Sequence, residues 1–137
     1  MKTMDIQKLF KTSHVIAVVG LSDKFDRDSY KVADYLLYNE FEIIPINPNI
    51  DSWNGIEAYA SLLEIQKEVH VDIVDIFRKS EFVLEVVKEA IRLNPKPKAI
   101  WMQLGVESKE ARELAEKNGI FVVENKCIRI EHQKLAL

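Results

Sequence analysis

The chain has 137 residues, of which 47% are apolar and 30% charged, and its formal net charge is −3. That bounds it to one ordinary domain, taken as residues 1–137, with a single core, and it speaks against nucleic acid held on a basic surface. No apolar run approaches the ~20 residues of a bilayer span, the opening MKTMDIQKLFKTSH lacks a signal-peptide core, and the lone Cys127 makes no internal disulfide, so a reducing cytoplasm is expected.

In chain order, Ile6, Leu9 and Phe10 sit at helical spacing. Val15 to Val19 is the apolar run of a strand buried on both faces. It stops at Gly20, where the missing Cβ permits a sharp turn and a close approach. A polar loop, Leu21 to Asp28, leads to a helix that Asp28 or Ser29 can cap. Its inward stripe is Tyr30, Val32, Ala33, Leu36 and Leu37, and it runs to about Asn39. Phe41 to Ile46 predicts a second strand, stopped by Asn47-Pro48. Asn49 to Gly55 reads as loop, and Ser61 to Ile65 as a short helix or turn.

Val71 to Phe77 predicts a third strand. Ser80 is expected to cap a long helix with Phe82, Val83, Val86, Val87, Ala90 and Ile91 facing inward, ended by Asn94-Pro95-Lys96-Pro97. Ala99 to Leu104 predicts a fourth strand, closed by Gly105. Ser108 starts a further helix with Ala111, Leu114 and Ala115 inward and Gly119 as its C-cap. Ile120 to Val123 predicts the fifth strand, and the tail from Asn125 to Leu137 is mixed.

Strands alternating with helices five times predict an α/β fold in three layers, a mainly parallel five-stranded sheet with helices on both faces. Ligands of such sheets bind beyond the carboxyl ends of the strands. That rule selects the loop after Gly20, then Asn47-Pro48-Asn49, Phe77-Arg78-Lys79, Gln103 to Gly105, and Asn125 to Cys127.

The loop GLSDKFDRDS keeps only the first glycine of GxGxxG, so a plain turn and a phosphate cradle are both open. Ser22, Arg27 and Ser29 bring donors for an anion, while Asp23, Asp26 and Asp28 repel one. A dinucleotide of the NAD type wants an acid about 20 residues past the glycine loop, and Asn47, Pro48 and Asn49 stand there instead. Arg78 is either a phosphate or pantetheine contact beside Phe77, or a salt-bridge partner for Asp75 inside the strand. Trp101 and Met102 alternate as core, leaving Gln103 as the informative residue. His14, His70 and His132 fall off the ligand row, no G-x-S-x-G is present, and a single cysteine makes no metal cluster. Cys127 reads as an inert half-buried thiol or as a nucleophile without a placed base.

The stretches VVGLSDKFDRDSYKVADYL, IIPINPN, NGIEAYASL, VDIVDIFRKSE, IWMQLGVESKEARELAEKNG and VVENKCIRIEHQKL cover nearly the whole chain from His14. In order and content this resembles the small stand-alone CoA-binding proteins of the Rossmann type, which are similar to the CoA-binding domain of the succinyl-CoA synthetase alpha subunit. The resemblance implies that Gly20, Ser22, Lys24, Arg27, Ser29 and Tyr30 take the CoA diphosphate. It implies that Asn47, Pro48 and Asn49 hold the adenosine, and that Phe77, Arg78 and Lys79 contact the nucleotide or the start of pantetheine. Gln103 and Gly105 would line the arm toward the thiol, with Cys127 nearby. The synthetase has a lysine where Asn49 stands, so the 3′-phosphate has no cation unless Arg78 or Lys79 serves. The synthetase's phosphorylated histidine belongs to a second domain, so the resemblance implies binding and not ligase catalysis.

The expectation is therefore a cytoplasmic module that binds CoA or a short acyl-CoA without catalysis, with neither nucleic acid nor membrane as partner. The alternatives are a redox or acyl-transfer enzyme using Cys127 next to the CoA thiol, and an NAD(P)-type oxidoreductase.

Overall fold

The computed structural model describes residues 4–135; the readings at 1–3 and 136–137 lie outside the described residues. The elements run α1 (Ile6–Thr12), β1 (Val15–Val19), α2 (Asp28–Tyr38), β2 (Glu42–Ile46), β3 (Ser52–Trp53), β4 (Ile56–Glu57), β5 (Ile73–Ile76), α3 (Val83–Ala90), β6 (Ala99–Met102), α4 (Lys109–Lys117), β7 (Phe121–Val123) and α5 (Ile128–Lys134). Tight single turns of helix at Leu62–Glu64 and Ser80–Phe82 complete the order. Five strands form one sheet in the order β2-β1-β5-β6-β7, every neighbouring pair parallel. The order reverses between β1 and β5, which is where such a sheet opens a crevice at its carboxyl end.

Alternation along the strands divides the core in two. Ile16, Val18, Ile73 and Trp101 pack with residues of α1, α2 and α5 on one face. Ala17, Val19, Val74, Ile76, Ile100 and Met102 pack with residues of α3 and α4 on the other. The result is a Rossmann-like α/β fold, as the alternation of elements predicts. No helix among the described residues is long and apolar enough to cross a membrane.

Local details differ from the sequence reading, each for a physical reason. The segment Asn49 to Gly55 is not plain loop: β3 and β4 form a two-stranded antiparallel hairpin through Asn54 and Gly55, both at positive φ. That is the pair of residues a tight hairpin turn demands. With the turn at Leu62–Glu64, capped by Ser61, the hairpin stands where a crossover helix would connect β2 to β5. Pro45 lies inside β2, yet costs no ladder bond. β2 is the edge strand, and residue 45 faces outward, where its carbonyl accepts from the Tyr59 amide at 3.0 Å.

The expected caps shift as well. Helix α2 begins at Asp28 with no side-chain cap, because Ser29 spends its hydroxyl on the Ser22 amide at 3.0 Å. Ser80 does not cap α3; its hydroxyl accepts from the Glu107 amide at 3.0 Å and so ties β5's exit to β6's exit. Phe82 is exposed rather than core, with its ring under the Arg78 guanidinium. Ser108 does cap α4, accepting from Ala111, and Gly119 sits one residue beyond the cap at Asn118 with φ +77°. The mixed tail carries α5.

Asp75 is the one anomaly of the sheet. It stands in β5 between Val18 and Trp101, fully buried, and neither carboxylate oxygen has a partner among the described residues. Of the two readings of Arg78, the salt bridge to Asp75 is not formed; its guanidinium lies over the Phe82 ring instead. Burial pushes the Asp75 carboxyl well above its ordinary 3.8, so the folded chain holds the proton to higher pH than the unfolded chain does. The unfolded chain releases that proton first as pH rises past 3.8, which makes Asp75 a penalty that grows above that pH. Asp75→Asn is accordingly expected to melt higher than the wild type at pH 7, with the gap closing as pH falls toward 3.8. A pH-independent difference in melting temperature would contradict this account.

Candidate functional site

Gly20 closes β1 at the switch point. Its φ is +85°, and a Cβ there would lie 2.3 Å from the Phe77 carbonyl oxygen and 3.1 Å from Arg78 Cδ. The glycine is what lets the exits of β1 and β5 touch. Its amide donates to the Ile46 carbonyl at 2.8 Å, so the exits of β2, β1 and β5 are held as one platform.

The loop beyond it is internally braced. The Lys24 amide donates to the Ser22 hydroxyl at 3.1 Å and the Arg27 amide to the Lys24 carbonyl at 3.0 Å. Asn47 clamps this loop to the neighbouring turn: its Nδ2 donates to the Leu21 carbonyl at 3.0 Å, and its Oδ1 accepts from the Asn49 amide at 2.9 Å. Without a side-chain cap, α2 presents the bare amides of a helix start to this edge.

Two cavities open along the carboxyl edge and meet at Phe77 and Arg78, which line both. The smaller, about 290 Å³, is walled by Gly20, Asn47, Pro48, Asn49 and Ala60. The larger, about 440 Å³, takes in Lys31, Lys79, Gln103, Cys127 and Arg129. Gln103 is 4% exposed, and its Oε1 accepts from the Ile128 amide at 3.0 Å, which seats the start of α5 against the end of β6. Four cationic side chains, Lys31, Arg78, Lys79 and Arg129, line the larger cavity against one acid, Asp28, in a chain of net charge −3. Such a local excess attracts an anion.

The fold therefore gathers Gly20, Asn47, Pro48, Asn49, Phe77, Arg78, Lys79, Gln103 and Cys127 from the ligand row. The remaining candidates line neither cavity. Ser22, Lys24 and Arg27 ride the loop between β1 and α2, and Lys24 and Arg27 are exposed there. The Ser29 hydroxyl braces that loop, and the Tyr30 ring packs edge-on against Trp53 with centroids 5.5 Å apart. Gly105 has its amide bonded to Asn125 Oδ1 at 2.7 Å. Lys31 and Arg129 escaped the sequence reading because they sit in the first turns of α2 and α5 rather than in the loops at the strand ends. The signal was helical spacing: 28, 31 and 32 share one face of α2, and all three line the cavity.

His132 lies on the far side of this site. It is buried among Phe10, Tyr35 and Phe41, its Nδ1 lies 2.7 Å from the Tyr35 hydroxyl, and burial lowers its pKa. Among the described residues no group of three His, Cys, Asp or Glu side chains could hold a metal ion.

Comparison with known proteins gives a consistent picture. The family described as "CoA binding domain" matches residues 14–133. The chain is similar to the uncharacterized protein YneT of Bacillus subtilis, 37% identical over 128 residues, spanning 93% of this chain and 92% of that one. It is similar over 126 residues, at 29% identity, to the ADP-forming acetate–CoA ligase II of Archaeoglobus fulgidus, covering 85% of this chain but 18% of the ligase. A solved structure of a hypothetical protein from Pyrococcus horikoshii superimposes with a TM-score of 0.90 at 32% identity, covering 96% of this chain and 90% of that one.

Proposed function

Because the chain belongs to the CoA-binding domain family, we propose that it holds coenzyme A, or a short acyl-CoA, along the carboxyl edge of its sheet, as a binding module in the cytoplasm without catalysis of its own. The observation that carries this reading is the pair of cavities meeting at Phe77 and Arg78, with four cations around the larger one. A ligand with an anionic nucleotide head and a long arm suits two adjoining chambers better than one rounded ligand does. The adenosine would lie near Gly20 and the Asn47-Pro48-Asn49 turn, the phosphates at the Arg78 junction facing the cations of the larger cavity, and the arm would run past Gln103 toward Cys127. Arg78, at the junction, supplies the cation that the Asn49 position lacks. Lys24 and Arg27 are exposed and free to swing in from the loop.

Isothermal titration of the purified protein with CoA, dephospho-CoA and NADH tests the reading. CoA is expected to give saturable heat and a thermal shift, since ligand at 100 times its dissociation constant adds about 2.7 kcal/mol of stability. NADH is expected to give neither, because the end of β2 offers no acid for its ribose hydroxyls. No heat with CoA or dephospho-CoA would end the proposal. Binding of NADH in preference to CoA would replace it with the oxidoreductase reading.

A further inference from the structure

Cys127 is the chain's single cysteine, 8% exposed, and it lines the larger cavity. A cysteine alone would mean little. Beside it, however, Gln103 is buried to all but 4%, and only its oxygen is used, accepting from the Ile128 amide directly after Cys127. The amide nitrogen of Gln103 has no partner among the described residues, yet it is not one of the buried unpartnered atoms of the fold. It is therefore open to the cavity its side chain lines, a donor waiting for a ligand acceptor beside the thiol. The Nε of Arg129, on the wall of the same cavity, is buried without a partner.

From this juxtaposition we infer that Cys127 is a covalent capture site for the thiol end of the ligand, formed by thiol–disulfide exchange with CoA disulfide. The inference rests on the CoA reading and adds to it a stoichiometric reaction. The Cys127 thiolate attacks one sulfur of the ligand disulfide. The Sγ–S bond forms as the S–S bond breaks, and the electron pair leaves on the released CoA thiolate, which takes the proton that Cys127 gave up. One thiol-level sulfur and one disulfide stand on each side, so no further oxidant is needed. The nucleotide contacts hold the disulfide against Cys127, which converts a bimolecular encounter into a local one.

Two measurements on the wild-type chain separate the inference from its premise. The first is titration with reduced CoA in the presence of a reductant. The second is intact mass after exposure, without reductant, to CoA disulfide or to glutathione disulfide at equal concentration. The expected result is saturable CoA binding together with a single CoA adduct that a reductant removes. That adduct should form about tenfold or more faster than the glutathione adduct. With one cysteine in the sequence, the adduct can only be at Cys127. Reduced CoA binding without adduct overturns the capture and leaves the CoA reading standing. Equal rates with the two disulfides also overturn it, since an ordinary accessible thiol would behave that way. Absence of CoA binding removes the premise and the inference together.

Discussion

Gly20→Ala is expected to destabilise the fold by about 3 kcal/mol or more and to weaken CoA binding by at least roughly tenfold. Two costs add. The left-handed backbone at φ +85° disfavours any side chain, by about 1–2 kcal/mol. The new methyl would also lie 2.3 Å from a backbone oxygen, that of Phe77, so the exits of β1 and β5 must separate. Gly105→Ala is the control. Its φ is +81°, but nothing lies within 4 Å of the position a Cβ would take, so only the first cost applies. Chemical denaturation of both variants reads the difference directly. If the two lose equal stability, the close approach at the switch point is not what demands glycine at position 20.

Arg78→Ala is expected to cost roughly 10- to 100-fold in CoA affinity, the worth of about 1.5–3 kcal/mol for a hydrogen bond to a charged group. Arg78 lines both cavities, and its guanidinium lies 4.7 Å from the centre of the exposed Phe82 ring. That stacking is worth about 0.5–1 kcal/mol, so the variant should fold nearly as well as the parent. The pattern across ligands is sharper than the magnitude. If Arg78 meets the 3′-phosphate, the wild type prefers CoA over dephospho-CoA and the variant does not. Retention of the full preference in Arg78→Ala would move that role to Lys79 or to the loop cations.

The main architecture was legible because its signals are local. Val15 to Val19 needs only an apolar run and a glycine, and α4 needs only Ser108 and the inward spacing of Ala111 and Ala115. The ligand row followed from topology, since alternation of strand and helix dictates which strand ends share an edge. What stayed hidden depends on contacts across the chain. Ser80 looks like a cap until Glu107 arrives with a competing amide. Phe82 looks like core by spacing until Arg78 covers it from outside. The strands of the β3–β4 hairpin are two residues each, too short for any alternation to show, although Asn54-Gly55 carries the turn chemistry. Lys31 and Arg129 were missed because the row was drawn from loops, whereas the cavity also recruits the first turns of two helices.

Pro45 has a consequence beyond the fold of one chain. Along the outer flank of β2, residue 45 has no N–H and its carbonyl is already engaged by Tyr59. A strand from another molecule arriving at that border finds neither a donor nor a free acceptor at this position, so lateral growth of the sheet is interrupted there. At this point of the border the edge of the sheet therefore offers a second molecule nothing to pair with.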